Sequence, residues 1–331
     1  MSKSSEAVPH QAEYLQFGGM AVPEGVMMRS PTHYAVACRA PNGEIVVKKE
    51  ELSKTWLGRQ EWLKKPLLRG FLGMLDTMAL GMKAMKYAAD VQIDPVYQPE
   101  DAEPVKPLGG SKVSENTIII LTLASSLALG FLFFNGIPQA TSELAVRVLT
   151  GSIEKNSHLM LTNYIAEVVK LVFVIAYLAL IRRLPSIYEV FRYHGAEHKA
   201  LNALEAGQEL TTEHCLAQTK LHPRCGTNFV IIVSLVSFFL FPLIPRDLFV
   251  PGDSSWWLVA LTRLPVELMF LPVVAGISYE VIRFAGRRRD QKWINIILAP
   301  GLWTQLITTA EPNAEQQDVA ISALLAVVEP A

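Results

Sequence analysis

The sequence predicts an α-helical multi-pass membrane protein with about four transmembrane helices, a small N-terminal β-rich cytoplasmic region and a cytoplasmic helical motif loop. Half of the 331 residues are hydrophobic and only 18% are charged. The mean hydropathy is +0.26, which is typical of a chain that places much of its length in a lipid bilayer. The bilayer is therefore the first predicted partner, while a net charge of −1 gives no indication of a nucleic-acid partner.

The N-terminal part of the chain is predicted to lie outside the bilayer. Residues 1–16 are polar and lack the apolar core of a signal peptide, so we predict a disordered N-terminus that is retained. Residues 17–66 are predicted to be β-rich. Within them, segments 34–39 and 44–48 flank Pro41-Asn42-Gly43, whose composition is typical of a hairpin turn.

A glycine-rich stretch opens the β-rich region, with Gly18, Gly19 and Gly25 on either side of Glu24. This stretch is too rich in glycine for a helix. It has two interpretations, a loop that cradles a phosphate group or a structural turn. The stretch lacks the lysine and the spacing of a phosphate-binding loop, which favours the turn.

Residues 67–89 are apolar and rich in methionine, but charged residues interrupt them. The interruptions are Arg69, Asp76, Lys83 and Lys86. Because such charges are costly at the centre of a bilayer, we predict an interfacial or re-entrant helix. Residues 90–114 follow with several prolines and charges of both signs, and they are predicted to be a linker.

Residues 115–285 form the predicted membrane domain, because four apolar segments there approach the ~20 residues that a helix needs to cross a bilayer. The segments are residues 117–136, 163–181, 228–245 and 264–282. Six lysines and arginines lie in the loop 182–227 between the second and third segments, whereas the opposite connections hold few. The positive-inside rule therefore places this loop and both termini in the cytoplasm, with cytoplasmic helices in residues 286–331.

Potential metal ligands are concentrated in residues 191–227, which contain four of the seven histidines and two of the three cysteines. If this part is helical, His194 and His198 project from the same face one turn apart, with Glu197 beside them. Two neutral imidazoles at this spacing can bind one divalent metal ion, and the carboxylate can act as the catalytic base toward water. The alternative is a pair of interfacial histidines hydrogen-bonded to lipid headgroups or to the backbone.

Three further residues are candidate metal ligands. His222 and Cys225 have the spacing H-x-x-C, and Glu280 ends the fourth apolar segment at the predicted depth of the histidines. Zinc is the metal most typical of such a set of ligands. Glu280 has an alternative role as a structural partner of Arg224.

Five segments contain the most distinctive motifs of the chain. They are Phe17-Gly-Gly-Met-Ala-Val-Pro-Glu-Gly-Val-Met-Met-Arg29, Tyr193-His-Gly-Ala-Glu-His198, Leu221-His-Pro-Arg-Cys-Gly-Thr227, Pro272-Val-Val-Ala-Gly-Ile-Ser-Tyr-Glu280 and Pro300-Gly-Leu-Trp-Thr-Gln305. Together they resemble the bacterial YqhQ-type membrane proteins, a family defined by a domain of unknown function. The resemblance implies a location in the bacterial inner membrane and an activity described only as that of a predicted metal-dependent enzyme.

Two functions from different classes are compatible with these residues. The first is a zinc-type hydrolase at the cytoplasmic membrane face, in which Glu197 is the base and the two helical histidines bind the metal with Glu280 or His222. The second is a non-catalytic membrane scaffold or ion-handling protein with a structural site. A catalytic site keeps one coordination position open, whereas the two helical histidines with His222 and Cys225 would close a structural one. Neither a substrate nor an oligomeric state follows from the sequence.

Overall fold

The computed structural model describes residues 17–52, 65, 68–99, 115–151, 159–244, 256–286 and 292–328. The predicted disordered N-terminus lies outside the described residues, as does most of the predicted linker. Within the described ranges the chain forms a four-stranded sheet, helices that cover this sheet, and several long apolar helices. The prediction of a mostly helical protein with an N-terminal β region is therefore confirmed.

The N-terminal sheet is an antiparallel meander in the order β1-β2-β3-β4. Its strands are β1 (Gly18–Val22), β2 (Gly25–Arg29), β3 (His33–Arg39) and β4 (Ile45–Glu51). The predicted turn at Pro41-Asn42-Gly43 connects β3 to β4, and Gly43 has a φ of +88°, which favours glycine. The glycine-rich stretch forms β1 and the tight turn into β2, as the structural interpretation of that stretch predicts.

The helices follow the sheet in the sequence. They are α1 (Leu68–Ile93), α2 (Glu115–Phe131), α3 (Ile137–Thr150), α4 (Leu159–Ile181), α5 (Pro185–Glu205), α6 (Thr212–Leu216), α7 (Gly226–Leu240), α8 (Trp256–Gly286), α9 (Lys292–Thr308) and α10 (Ala314–Val328). A π-helical turn, Leu132–Gly136, joins α2 to α3.

Helices cover both faces of the sheet, which suits the nearly continuous apolar sequences of β2 and β3. On one face Val26 and Met28 lie in a hydrophobic core with α5 and α10. On the other face Met27 and Val36 pack with Leu80 of α1. The first core joins the N-terminal sheet to the last helix, so these two parts of the chain lie on the same side of the molecule.

Helix α1 is the segment predicted to be an interfacial or re-entrant helix in residues 67–89. It is one unbroken helix that ends at Ile93, so it contains no re-entrant turn, and the predicted linker begins later than residue 90. The second half of α1 packs on the sheet, and its first turns pack against α8. The helix therefore connects the sheet to one of the long apolar helices.

Two of the charges that interrupt α1 are paired with other elements. Arg69 donates two hydrogen bonds to the carboxylate of Glu280 in α8, at 2.7 and 2.6 Å. Asp76 accepts from Arg29 of β2 at 2.7 Å. These two ion pairs therefore link α1 to α8 and to the sheet.

A close approach of α1 to α8 predicts opposite effects for two nearby glycines. A Cβ atom on Gly70 would lie 2.6 Å from the Cβ of Tyr279 and 3.0 Å from the carbonyl oxygen of Ala275, whereas a Cβ on Gly73 would meet no atom within 4 Å. We expect Gly70→Ala to destabilise the protein by ~1–3 kcal/mol through overpacking. Gly73→Ala should be neutral or should stabilise it by up to ~1 kcal/mol through helix propensity. The melting temperatures of the two variants in detergent test this pair, and equal shifts would contradict the packing.

Three stretches of helix are long and apolar enough to cross a bilayer. They are Leu161–Ile181 in α4, Gly226–Leu243 in α7 and the turn after it, and Leu264–Ala285 in α8. They correspond to the second, third and fourth predicted segments. Within them, Lys170 lies 3.2 Å from Glu167 and 2.8 Å from Glu267, and this pairing lowers the cost of placing charge at membrane depth.

The first predicted segment, residues 117–136, does not form a helix of the same kind. Helix α2 ends at Phe131, and the helical path continues through the π turn and α3 to Thr150. With 17 residues, α2 is about 25 Å long, which is shorter than the ~30 Å hydrocarbon core. The described part of the chain thus contains three helices of membrane-spanning length and composition, where hydropathy predicted four.

Candidate metal centre

Helix α5 carries the predicted histidine motif, and its packing explains why the motif contains a glycine. The backbone N–H of Ala310 donates to the carbonyl oxygen of Phe191 at 2.8 Å, which holds the segment after α9 against α5. A Cβ atom on Gly195 would clash with the carbonyl oxygen of Ala310. The glycine therefore lets this segment approach the helix beside the histidines.

His194 and His198 lie one turn apart on α5, and their ring centroids are 4.4 Å apart. The Nδ1 atom of His194 lies 2.8 Å from the carbonyl oxygen of Thr308, and that of His198 lies 2.6 Å from the carbonyl oxygen of Lys220. Because a carbonyl oxygen only accepts, each neutral ring must carry its proton on Nδ1 and present the Nε2 lone pair. The backbone thus fixes the tautomer that a metal ligand needs.

Cys225 brings a sulfur atom to these two rings. It is the N-cap of α7, and its Sγ lies 3.1 Å from Nε2 of His194. Sγ also accepts from the backbone N–H of Thr227 at 3.4 Å. Burial raises the pKa of Cys225, but its interactions with His198 and Thr227 outweigh burial and hold the pKa below its usual value. The lowered pKa eases the loss of the thiol proton, which metal binding requires.

His194, His198 and Cys225 form a group that can hold a metal ion, since their ligand atoms all lie within 4.8 Å of one another. The Nε2 atom of His198 is buried and has no hydrogen-bond partner among the described residues. A buried imidazole nitrogen without a well-formed hydrogen bond is costly, and a metal ion bound between it and Cys225 would compensate that cost. Burial also lowers the pKa of His198, which keeps this ring neutral. Two imidazoles and one thiolate suit zinc.

Glu197 lies beside the group, between the two histidines and strand β1. Its side chain faces Gly19, where a Cβ atom would come within 2.8 Å of Oε1. Its Oε2 atom is buried and has no hydrogen-bond partner among the described residues. Burial raises the pKa of Glu197 to about 8, the charge of His194 lowers it, and that of Cys225 raises it. The carboxyl group is therefore largely protonated at neutral pH when no cation is nearby.

His222 lies next to the group, but its ring is used differently. The ring centroids of His222 and His198 are 5.6 Å apart, and Nε2 of His222 lies 3.0 Å from Oε1 of Glu205. The side-chain amide of Gln305 holds the backbone of His222 through bonds of 2.8 and 2.7 Å. Because Nε2 of His222 is bound to Glu205, this atom is not placed to act as a fourth metal ligand.

Glu280 is bound by Arg69 of α1 and is not part of the group of three. The sequence placed Glu280 at the end of the fourth apolar segment. That position did not reveal that Arg69 of α1 binds its carboxylate. The alternative partner, Arg224, instead pairs with Glu205. Glu280 thus has a structural partner, although not the predicted one.

Several residues that shape the site were not singled out by the sequence. The backbone carbonyls of Lys220 and Thr308 have no sequence signal, since any residue offers one. Gly19 was noted only as a turn residue, and its contact with Glu197 depends on the docking of the sheet onto α5. Thr227 had a signal, because Cys-Gly-Thr directly before an apolar run is a possible helix start.

The fold and the site define a class: a mostly helical protein with three helices of membrane-spanning character and a buried His/His/Cys group that can hold a metal ion. The chain belongs to the DUF1385 family, described as proteins of unknown function, which its sequence matches over residues 65–330. It is 32% identical over 315 residues to the uncharacterized protein YqhQ of Bacillus subtilis (strain 168), an alignment that covers 92% of this chain and 90% of that protein. The resemblance predicted from the five segments is confirmed. No solved structure matches the chain.

Proposed function

We propose that the protein is a metal-dependent hydrolase of the bacterial inner membrane, with its centre at the cytoplasmic face and zinc as its metal. The observation that carries this proposal is the convergence of two Nε2 lone pairs and one thiol, with both imidazole tautomers fixed by backbone carbonyls. A divalent ion bound there would supply Lewis-acid activation of water and substrate. His194, His198 and Cys225 would hold it.

Glu197 is the proposed general base. Its carboxyl group lies beside the ligands, and the buried Oε2 atom has no other partner among the described residues. The raised pKa favours the protonated acid, but a nearby cation favours the carboxylate, so loading the site would convert Glu197 into a base. The group could then accept a proton from water and return it to a leaving group.

The number of protein ligands separates this proposal from the structural alternative. Three protein ligands leave one position of a tetrahedral zinc site open, as catalytic sites do. The scaffold or ion-handling alternative needs a fourth protein ligand, for which His222 is the nearest histidine. The bond of His222 to Glu205 supports the open arrangement.

Metal analysis of the full chain purified in detergent tests the proposal. We expect about one equivalent of a divalent metal per chain, which a strong chelator removes and added zinc restores. A correctly folded protein that contains no metal and takes up none would contradict both the hydrolase and a structural metal site. Circular dichroism of the same sample reports the fold.

We also infer a fourth membrane crossing between α1 and α4. The sheet, α5 and α10 share one hydrophobic core and therefore lie on one side of a bilayer. Because α4 leads directly into α5, α4 must begin on the opposite side if it spans. The chain then has to cross once more before α4, and the helical path from Glu115 to Thr150 is the described part available for it. With this additional crossing the number of spans is four, an even number, so both termini lie on the same side of the membrane. We assign that side to the cytoplasm, because lysines and arginines are concentrated there.

Thiol labelling in intact cells tests this topology. A cysteine at Ser152, in the connection from α3 to α4, should react with a membrane-impermeant reagent, and one at the exposed Glu209, after α5, should react only after lysis. The native cysteines, Cys38, Cys215 and Cys225, are buried, so the wild-type protein is the control for background labelling. The reverse pattern would contradict the orientation, and labelling at both or neither site would contradict a crossing by α4.

A further inference from the structure

The outward face of α1 is an exposed apolar stripe that no described element covers. Met78, Met82 and Met85 are exposed by 56%, 66% and 48%, and Leu75 and Leu68 continue the stripe toward the start of the helix. We propose that this stripe docks on the cytoplasmic leaflet of the membrane, with anionic lipid headgroups as its partner. The proposal concerns a surface outside the candidate metal centre and does not depend on the metal.

The exposed residues occupy one face because of their spacing. Leu68, Leu75 and Met82 are seven residues apart, and Met78 and Met85 lie three residues after the last two, so all five align along one side of a helix. The opposite side carries the buried residues that pack on the sheet, such as Ala84. Helix α1 is thus apolar on two faces, and the sheet accounts for only one of them.

The position of the first turns of α1 indicates what covers the exposed apolar face of this helix. Gly70 lies against Ala275, Gly276 and Tyr279, which begin the second half of the stretch Leu264–Ala285 that is suited to cross the bilayer. The first turns of α1 therefore lie against the second half of this stretch, and the rest of α1 leads from there to the sheet. The exposed stripe begins beside this stretch, in which Val273 and Phe284 are also exposed.

The charges beside the stripe match anionic headgroups. Lys83 and Lys86 are exposed, and each directly follows a methionine of the stripe. The acidic residues beside the stripe already have partners: Asp76 pairs with Arg29, and Glu50 of β4, which lies near Lys83, pairs with Lys48. A helix with an apolar face bordered by lysines is typical of segments that lie in the interface plane and select anionic lipids. Methionine, being flexible, adapts to such a disordered surface.

Fluorescence quenching on the full chain in vesicles tests this docking. Met82→Cys and, as control, Glu209→Cys would each be labelled with an environment-sensitive fluorophore, after reconstitution in phosphatidylcholine vesicles with or without phosphatidylglycerol. Both positions are exposed, so neither substitution should disturb folding. We expect lipids with brominated chains to quench the probe at position 82 at least several-fold more than the probe at position 209.

The lysines supply the second part of the test. Phosphatidylglycerol should increase quenching at position 82, and Lys83→Gln with Lys86→Gln should remove that increase while the melting temperature stays unchanged. Equal quenching at positions 82 and 209 would overturn the proposal. So would efficient disulfide cross-linking between two Met82→Cys chains without quenching, since that result would assign the stripe to a second copy of the protein.

Discussion

Glu197→Gln is expected to abolish the function of the protein while leaving its fold and its metal content intact. The side chain is only 3% exposed, and its pKa of about 8 means that the metal-free protein already tolerates the neutral acid at this position. Glutamine has nearly the same shape and is also neutral, so the cost in stability should be small. General-base catalysis typically contributes on the order of 10²–10⁴-fold, and turnover should fall by that amount.

The measurement combines complementation of a deletion strain with the abundance of the variant in the membrane. Loss of complementation at normal abundance and normal metal content is the expected result. Glu189→Gln is the matched control, because Glu189 lies two turns earlier on α5 and pairs with Arg192 at the surface. A structural role for Glu197 would instead lower abundance first, and full complementation at normal abundance would remove the general-base role.

Replacing any one of the three proposed ligands is expected to lower the bound metal sharply. His194→Ala, His198→Ala and Cys225→Ser each leave two ligands, which is too few to hold zinc in a defined geometry. We expect each variant to fall from about one equivalent to a small fraction of it, as measured by elemental analysis of the purified protein. Unchanged content in all three variants would exclude the site.

Matched controls separate this effect from general damage. His214→Ala removes an exposed histidine, and Cys215→Ala removes a buried cysteine that packs in the core of the sheet, so neither should change the metal content. His222→Ala distinguishes the two arrangements of ligands. In the open site this variant keeps its metal, because His222 is held by Glu205, whereas a closed site loses it.

The sequence predicts those parts of the molecule that depend on local pattern. Each of three features can be read from residues that are close together in the sequence. They are the helical spacing of His194 and His198, the turn at residues 41–43 and three of the apolar segments. Cys225 could be named as a candidate because it is close to these histidines in the chain, and the structure places the three side chains together. The group of three could therefore be assembled from short-range information.

The parts that the sequence could not predict depend on contacts between distant segments. Arg69 and Asp76 predict a helix near the membrane surface but do not reveal their partners, Glu280 and Arg29, which are far away in the sequence. The ion pair with Arg69 also keeps Glu280 outside the group formed by His194, His198 and Cys225. The form of the first predicted span could not be predicted for another reason, since a π turn at Leu132–Gly136 interrupts a helix that hydropathy treats as uniform.

Visible absorption of the cobalt(II)-substituted wild-type protein tests the open metal centre most directly. Cobalt replaces zinc in such sites, and its spectrum reports both a thiolate ligand and the number of ligands. We predict a sulfur-to-metal charge-transfer band from Cys225, absent in Cys225→Ser, and a shift of the visible bands when a small anion such as azide enters the open position. A spectrum without the thiolate band, or one that saturating azide leaves unchanged, would contradict a centre with three protein ligands and an open fourth position.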